Sequence, residues 1–264
     1  MENDFYIGWS DDNPDHLGRF KRLFLWIALL VVVALAWLII KTEEPFVDSE
    51  YYGALREFEG QLVDYPVLGL RTMVDGELKT VPLIGFGKFS AYGAFADYDL
   101  EELTNSTVAL RGVTVAYQGR MWMEMTEGAE AVLEVKAGMA MPRRIRKEGA
   151  ATIEGEIIDP KCFFGVMKPA YKKIHRSCAI RCLSGGIPPV LAVREGGKFT
   201  DYYFILDQEG NPITENVMAY AGLPISLSGD VEIVDDWKVL KLNQLVRRLA
   251  LASLRLDQQV STCD

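Results

Sequence analysis

Three of the chain's four cysteines and one of its two histidines fall within residues 161–186, KCFFGVMKPAYKKIHRSCAIRCLSGG, among six Lys and Arg residues and no acid. The run AYKKIHRSCAIRCLS after Pro169 has the pattern of a helix, and Gly185-Gly186 with Pro188-Pro189 stops it. On that helix His175, Cys178 and Cys182 stand at i, i+3 and i+7, which puts all three on one face. Cys162, expected at the end of the preceding strand, can close over them. Three chemistries fit these residues. Four converging ligands would make a tetrahedral Cys3His site for a metal, or offer ligands to a haem iron. A disulfide would join Cys162 to one helical cysteine, since Cys178 and Cys182 are too far apart on a regular helix to bond to each other. A redox-active thiol is the third.

The surrounding cations, Lys161, Lys168, Lys172, Lys173, Arg176 and Arg181, bear on each version. Nearby positive charge favours thiolate over thiol. It also makes a patch that attracts anions: acidic lipid, a carboxylated ligand or an acidic protein face.

The elements that must position this cluster begin with an anchor. Residues 23–40, LFLWIALLVVVALAWLII, run without a charge or a helix breaker and form a transmembrane helix about 27 Å long. Trp26 and Trp37 mark its two ends. The following KTEEPFVDSE has no convincing small-residue cleavage site, so the helix is expected to stay. Arg19, Lys21 and Arg22 before it, against Lys41, Glu43 and Glu44 after it, place residues 1–22 in the cytoplasm and the rest outside. The expected location is a bacterial inner membrane, single-pass, with the C-terminal domains in the periplasm, where thiols oxidise unless held.

Beyond the anchor the chain is strand-rich and resembles itself. FEGQLVDYPVLG (58–69) matches IEGEIIDPKCFFG (153–165) through Glu59/Glu154, Gly60/Gly155 and Asp64/Asp159. A second pair of blocks matches through Gly112/Gly229 and a hairpin into a strand bearing Trp122 or Trp237. The fold class expected is therefore mainly β, with two tandem OB-like barrels at 41–136 and 151–242 joined by a linker at 137–150. The Cys/His insertion belongs to the second barrel, and an amphipathic helix and tail follow at 243–264.

GEIIDPKC (155–162) and CAIRCLSGGIP (178–188) resemble a group of bacterial exported or membrane-anchored proteins that share G-x-[IV]-x-D-x-K-C followed by C-A-x-x-C-x-x-G-G-x-P. That resemblance covers about a third of the chain and brings no activity with it. It implies that the cysteines belong to the design of the module. In architecture, an anchor followed by a periplasmic OB-type barrel, the chain is similar to the haem chaperones of cytochrome c maturation. Those attach haem through H-x-x-x-Y, a pattern that neither His16 nor His175 begins.

A net charge of −9 argues against nucleic acid as a partner. There is no phosphate-cradling Gly-rich loop and no Ser/His/acid arrangement in a recognisable context. The N-terminal tail carries Phe5, Tyr6 and Trp9 as docking residues for a partner or for the bilayer surface. Together these features point to a non-catalytic accessory subunit that needs no cofactor. It would bind integral-membrane protein subunits of an inner-membrane assembly, an electron-transport complex being the leading case. The alternatives are a metal or haem carrier using Cys162, His175, Cys178 and Cys182, or a thiol–disulfide oxidoreductase.

Overall fold

The computed structural model describes residues 15–42, 49–104, 106–138, 142–165 and 167–243, in two units divided between Val47 and Asp48. The N-terminal unit contributes one helix, α1 (Asp15–Thr42). Within it residues 18–41 are long and apolar enough to cross a membrane, about 36 Å at the α-helical rise. Its large side chains, from Phe20 and Leu23 to Ile40, all stand exposed, as a lipid-facing helix requires and a core helix does not. The expected docking residues Phe5, Tyr6 and Trp9 and the expected C-terminal helix lie outside the described residues.

The larger unit holds the two barrels. The first contains β1 (Ser49–Val63), β2 (Gly69–Val74), β3 (Glu77–Gly85), β4 (Thr107–Tyr117) and β5 (Arg120–Met125), in the order β1-β2-β3-β5-β4 and closed by β1–β4 pairing. A sixth strand, β6 (Val132–Lys136), adds to β4. The second contains β7 (Ile145–Ile158), β8 (Val190–Glu195), β9 (Lys198–Leu206), β10 (Pro224–Val234) and β11 (Trp237–Leu242), closed in the same cyclic order. In both, the third and fifth strands are parallel and the other barrel pairings antiparallel. In both, a short helix fills the third connection: α2 (Leu100–Leu103) in one, α5 (Thr214–Val217) in the other. The duplicated OB-type topology expected from the sequence is thus present.

The matched glycines show why each strand curves at the same place. A Cβ on Gly60 would lie 2.3 Å from the Arg71 carbonyl oxygen, and one on Gly155 would lie 2.6 Å from that of Ala192. Gly112 and Gly229 meet the next strand's carbonyl at 2.5 and 2.1 Å. A side chain at any of the four would push neighbouring strands apart at a sharp bend. The hairpins that follow share a register, Tyr117 facing Arg120 and Val234 facing Trp237. Trp122 and Trp237 therefore occupy matching strands but positions two residues apart.

One boundary differs from expectation. β7 starts at Ile145, inside the stretch read as linker, and pairs with β10 from Ile145↔Val234 onward. Residues 145–152 are exposed on both faces, so no apolar alternation announces the strand. The barrels also share a core. Ile84, Val115 and Trp122 of the first bury against Phe204, Val234, Trp237 and Val239 of the second. The Trp122 and Trp237 rings meet edge-on at 5.7 Å, and the Trp237 indole N–H donates to the Thr80 carbonyl at 2.8 Å. Beside them Arg71, 3 % exposed, pairs with Asp235 at 3.1 Å, and Tyr65 donates to Glu232 at 2.9 Å.

Each barrel also has a core of its own, and the cluster shared between them couples their unfolding. Unfolding of the detergent-solubilised chain, followed by tryptophan fluorescence, should show a single transition for both barrels. Asp235→Ala, which leaves the Arg71 guanidinium buried without its carboxylate, should lower stability by about 3 kcal/mol. Two separate transitions would contradict the shared core.

Candidate metal centre

The insertion lies between β7 and β8, the connection that in the first barrel is made by residues 64–68 alone. Asp159 ends the strand and caps α3 (Pro160–Phe164), its Oδ1 accepting the Cys162 backbone N–H at 2.8 Å. Pro160 at the first helical position needs no partner for an N–H and has the φ a helix requires. Cys162 is therefore carried by a short helix rather than by the strand end. α4 (Lys172–Ser184) follows, burying His175, Ala179, Cys182 and Leu183 on the face predicted from their spacing, with Cys178 half-buried at its edge.

The three sulfurs converge. Cys162, Cys178 and Cys182 Sγ all lie within 4.8 Å of one another, Cys162 and Cys178 are 3.9 Å apart, and all three are free thiols. Four ligands at the usual zinc–sulfur bond length would form a tetrahedron with edges of about 3.8 Å, close to that separation. A second trio, Asp159, Cys162 and His175, is equally compact. Asp159, with no exposed surface, uses its other oxygen for His175 Nε2 at 3.0 Å. The expected Cys3His set is thus split: Cys162 belongs to both trios, and His175 joins the cluster through Cys162 and Asp159.

A fourth group comes from the other barrel. The connection after β3 bends back over α4, where the Ser90 N–H donates to the Gly185 carbonyl at 3.0 Å. Any side chain on Gly185 would collide with the Lys88 carbonyl, its Cβ falling 1.6 Å away. This approach delivers the Lys88 ammonium to Cys178 Sγ at 3.0 Å and Cys182 Sγ at 3.8 Å. Lys161 fastens the same connection, donating to the Gly85 carbonyl at 2.9 Å and to Glu124 at 2.7 Å. Nothing in GFGKFS marks Lys88 as part of a thiol site; only the packing of two barrels distant in sequence brings it there.

The electrostatics separate the thiols. The hydrogen bond to Cys182, reinforced by burial, pushes the Cys162 thiol up. The same bond, received at Cys182 and aided by the Lys88 charge, holds the Cys182 thiol below its ordinary value despite burial. The bond to Cys178 raises the Lys88 ammonium above the usual lysine range. Charge at the cluster is accordingly shared between sulfur and Lys88.

The six cations do not form one patch. Lys161 is clamped, and Lys168 turns inward over the Tyr117 ring at 4.1 Å while donating to the Phe163 carbonyl. Arg176 donates to the Ala219 carbonyl at 2.7 Å, and Lys172 covers the Tyr171 ring at 5.2 Å. Lys173 is exposed on α4; Arg181 lines an open cleft with Lys88, Phe89, Ser184 and Gly185. Binding an anion on all six at once would require breaking these contacts.

Burial pushes the Lys168 amine down to about 8. Between that value and the ordinary 10.5 the unfolded chain binds more protons here than the folded one, so this residue makes stability rise with pH across that window. Lys168→Met should remove the rise. Comparing unfolding midpoints of variant and wild type at about pH 7 and about pH 10 checks it, the variant's advantage shrinking at the higher pH. Compared with family models, curated proteins and solved structures, the chain shows no significant match, and the reading of this centre rests on its own geometry.

Proposed function

We propose that the chain is a membrane-tethered accessory module that holds one thiophilic metal ion on Cys162, Cys178 and Cys182. The observation that carries this reading is the meeting of three sulfurs, from two helices, at one point. Thiolates select ions such as Zn2+ and Cu+. A three-sulfur set leaves a coordination position open, as in sites that exchange a ligand, whereas structural zinc sites close all four. That suits a carrier, or an accessory subunit that stores or passes an ion. His175, fixed by Asp159, stands beside Cys162 to orient it or to complete the set. An ion is favoured over haem because a porphyrin occupies four positions of its iron and leaves the protein only two axial ones. Three convergent sulfurs do not match that geometry.

The wider reading follows from α1 and the charges around it. The N-terminus is cytoplasmic and the barrels face the periplasm, where a bound ion protects three thiols from oxidation. The natural partners are integral-membrane subunits of an inner-membrane, electron-transport assembly.

Titrating the reduced, detergent-solubilised full chain with Zn2+, and with Co2+ as a spectroscopic probe of thiolate ligation, tests the centre. One ion per chain is expected. Cys178→Ser and Cys182→Ser should each weaken binding by at least about 100-fold, and His175→Ala by about 10- to 100-fold. A wild-type chain that takes up neither ion removes the reading.

A further inference from the structure

The three sulfurs are not equivalent, and their differences have a chemical consequence. Cys178 and Cys182 sit four residues apart on α4, where side chains on successive turns start about 5–6 Å apart at Cβ. A disulfide needs about 3.8 Å there. Any intramolecular bond within the cluster must therefore include Cys162. Its sulfur is 3.9 Å from that of Cys178. Access then ranks the partners: Cys182 is 1 % exposed and Cys162 7 % exposed, whereas Cys178 is half-buried and lies at the rim of α4. A reagent arriving from solvent meets Cys178 first. The Lys88 ammonium, 3.0 Å from that sulfur, also offers a donor beside a departing thiolate.

We propose that the centre performs thiol–disulfide exchange, with Cys178 as the attacking sulfur and Cys162 as the resolving one. The substrate class is a small or peptide disulfide, R–S–S–R. In the first step Cys178 thiolate bonds to one sulfur of the substrate, the S–S bond breaks and RS− leaves. That RS− takes a proton from solvent and departs as RSH. Cys162 Sγ then attacks Cys178 Sγ, closing the Cys162–Cys178 bond, and its proton passes to the second departing sulfur, which leaves as RSH. The protein pair is oxidised by two electrons, and the substrate disulfide is reduced to two thiols.

It meets the metal reading at one point without depending on it: the bond withdraws two of three ligands, so exchange would release a bound ion and a bound ion would block exchange. Cys182 is left as a buried thiol. Of the two pairs open to Cys162, this one takes the more exposed helical cysteine.

The test uses the reduced, metal-stripped full chain in mild detergent, with glutathione disulfide as substrate and peptide mass mapping after an acid quench. Wild type should yield a Cys162–Cys178 disulfide. Cys162→Ser should stop at a glutathione adduct on Cys178, while Cys182→Ser should still close the bond. Cys178→Ser should react at least about tenfold more slowly than wild type. An adduct trapped on Cys182, a Cys162–Cys182 bond, or a wild type that stays reduced would overturn the inference. Zinc uptake measured on the same preparation separates the two readings. A chain that binds zinc without exchanging loses this inference alone, and a chain that exchanges without binding zinc loses only the metal centre.

Discussion

The feature on which the rest of the molecule depends is the aromatic contact between the barrels. Trp122 stacks on Phe164 at 5.8 Å and meets Trp237 edge-on, while Phe204 closes the group against both tryptophans. Phe164 belongs to α3, the same short helix that carries Cys162. Burial of these rings therefore does two things at once: it joins the barrels and it fixes one wall of the thiol cluster. Fully buried aromatic side chains dominate the energetics of any interface they enter, so this contact sets the relative position of the barrels far more firmly than the exposed ion pairs do. The polar rim of Arg71–Asp235 and of Thr80 with Trp237 sets the register of the two surfaces.

From that fixed arrangement the site follows by local steps. The β3 connection can reach α4 only because the first barrel is held against the second, and it can touch α4 only where residue 185 lacks a side chain. Lys161, neighbour of Cys162 in sequence, pins the connection from below. The copy that received the insertion thus uses the other copy as a lid. The two barrels share one topology and differ at one connection, residues 64–68 against 159–189, where the thiol cluster lies.

Much of this is readable in the sequence, and the limits have physical reasons. Gly60/Gly155 and Gly112/Gly229 reveal the repeat because a sharply bent strand tolerates nothing larger at those positions. α4 and its ligand face follow from periodicity and from stop residues, both of which act within a few residues of chain. The strand at 145–152 is hidden because a strand that extends beyond its barrel, exposed on both faces, loses the alternation that marks strands. Lys88 and the role of Asp159 toward His175 are hidden for a different reason. Lys88 depends on a contact between residues 90 apart in the chain and Asp159 on the way the insertion folds back over the 16 residues to His175, and neither lysine nor aspartate at a turn is distinctive. The cationic patch fails as a unit for the same cause: charge counted along a sequence says nothing about which amines turn inward, as Lys161 and Lys168 do.

Lys88 itself has an electrostatic rationale. Three thiolates gathered in a mostly buried cluster repel one another, and a low-dielectric setting makes that repulsion costly unless cations stand close by. A divalent ion offsets two of the three thiolate charges and one ammonium the third, with Asp159 and His175 paired to each other beside them. Lose the ion, and Lys88 still touches two of the sulfurs; protons must return to two of the three, or two must join by passing two electrons to a substrate disulfide. The Cys162 thiol, pushed up by its bond to Cys182 and by burial, keeps its proton most readily in that state. Metal holding and disulfide closure are then two answers to one constraint, the neutralisation of buried sulfur, and the same lysine serves both.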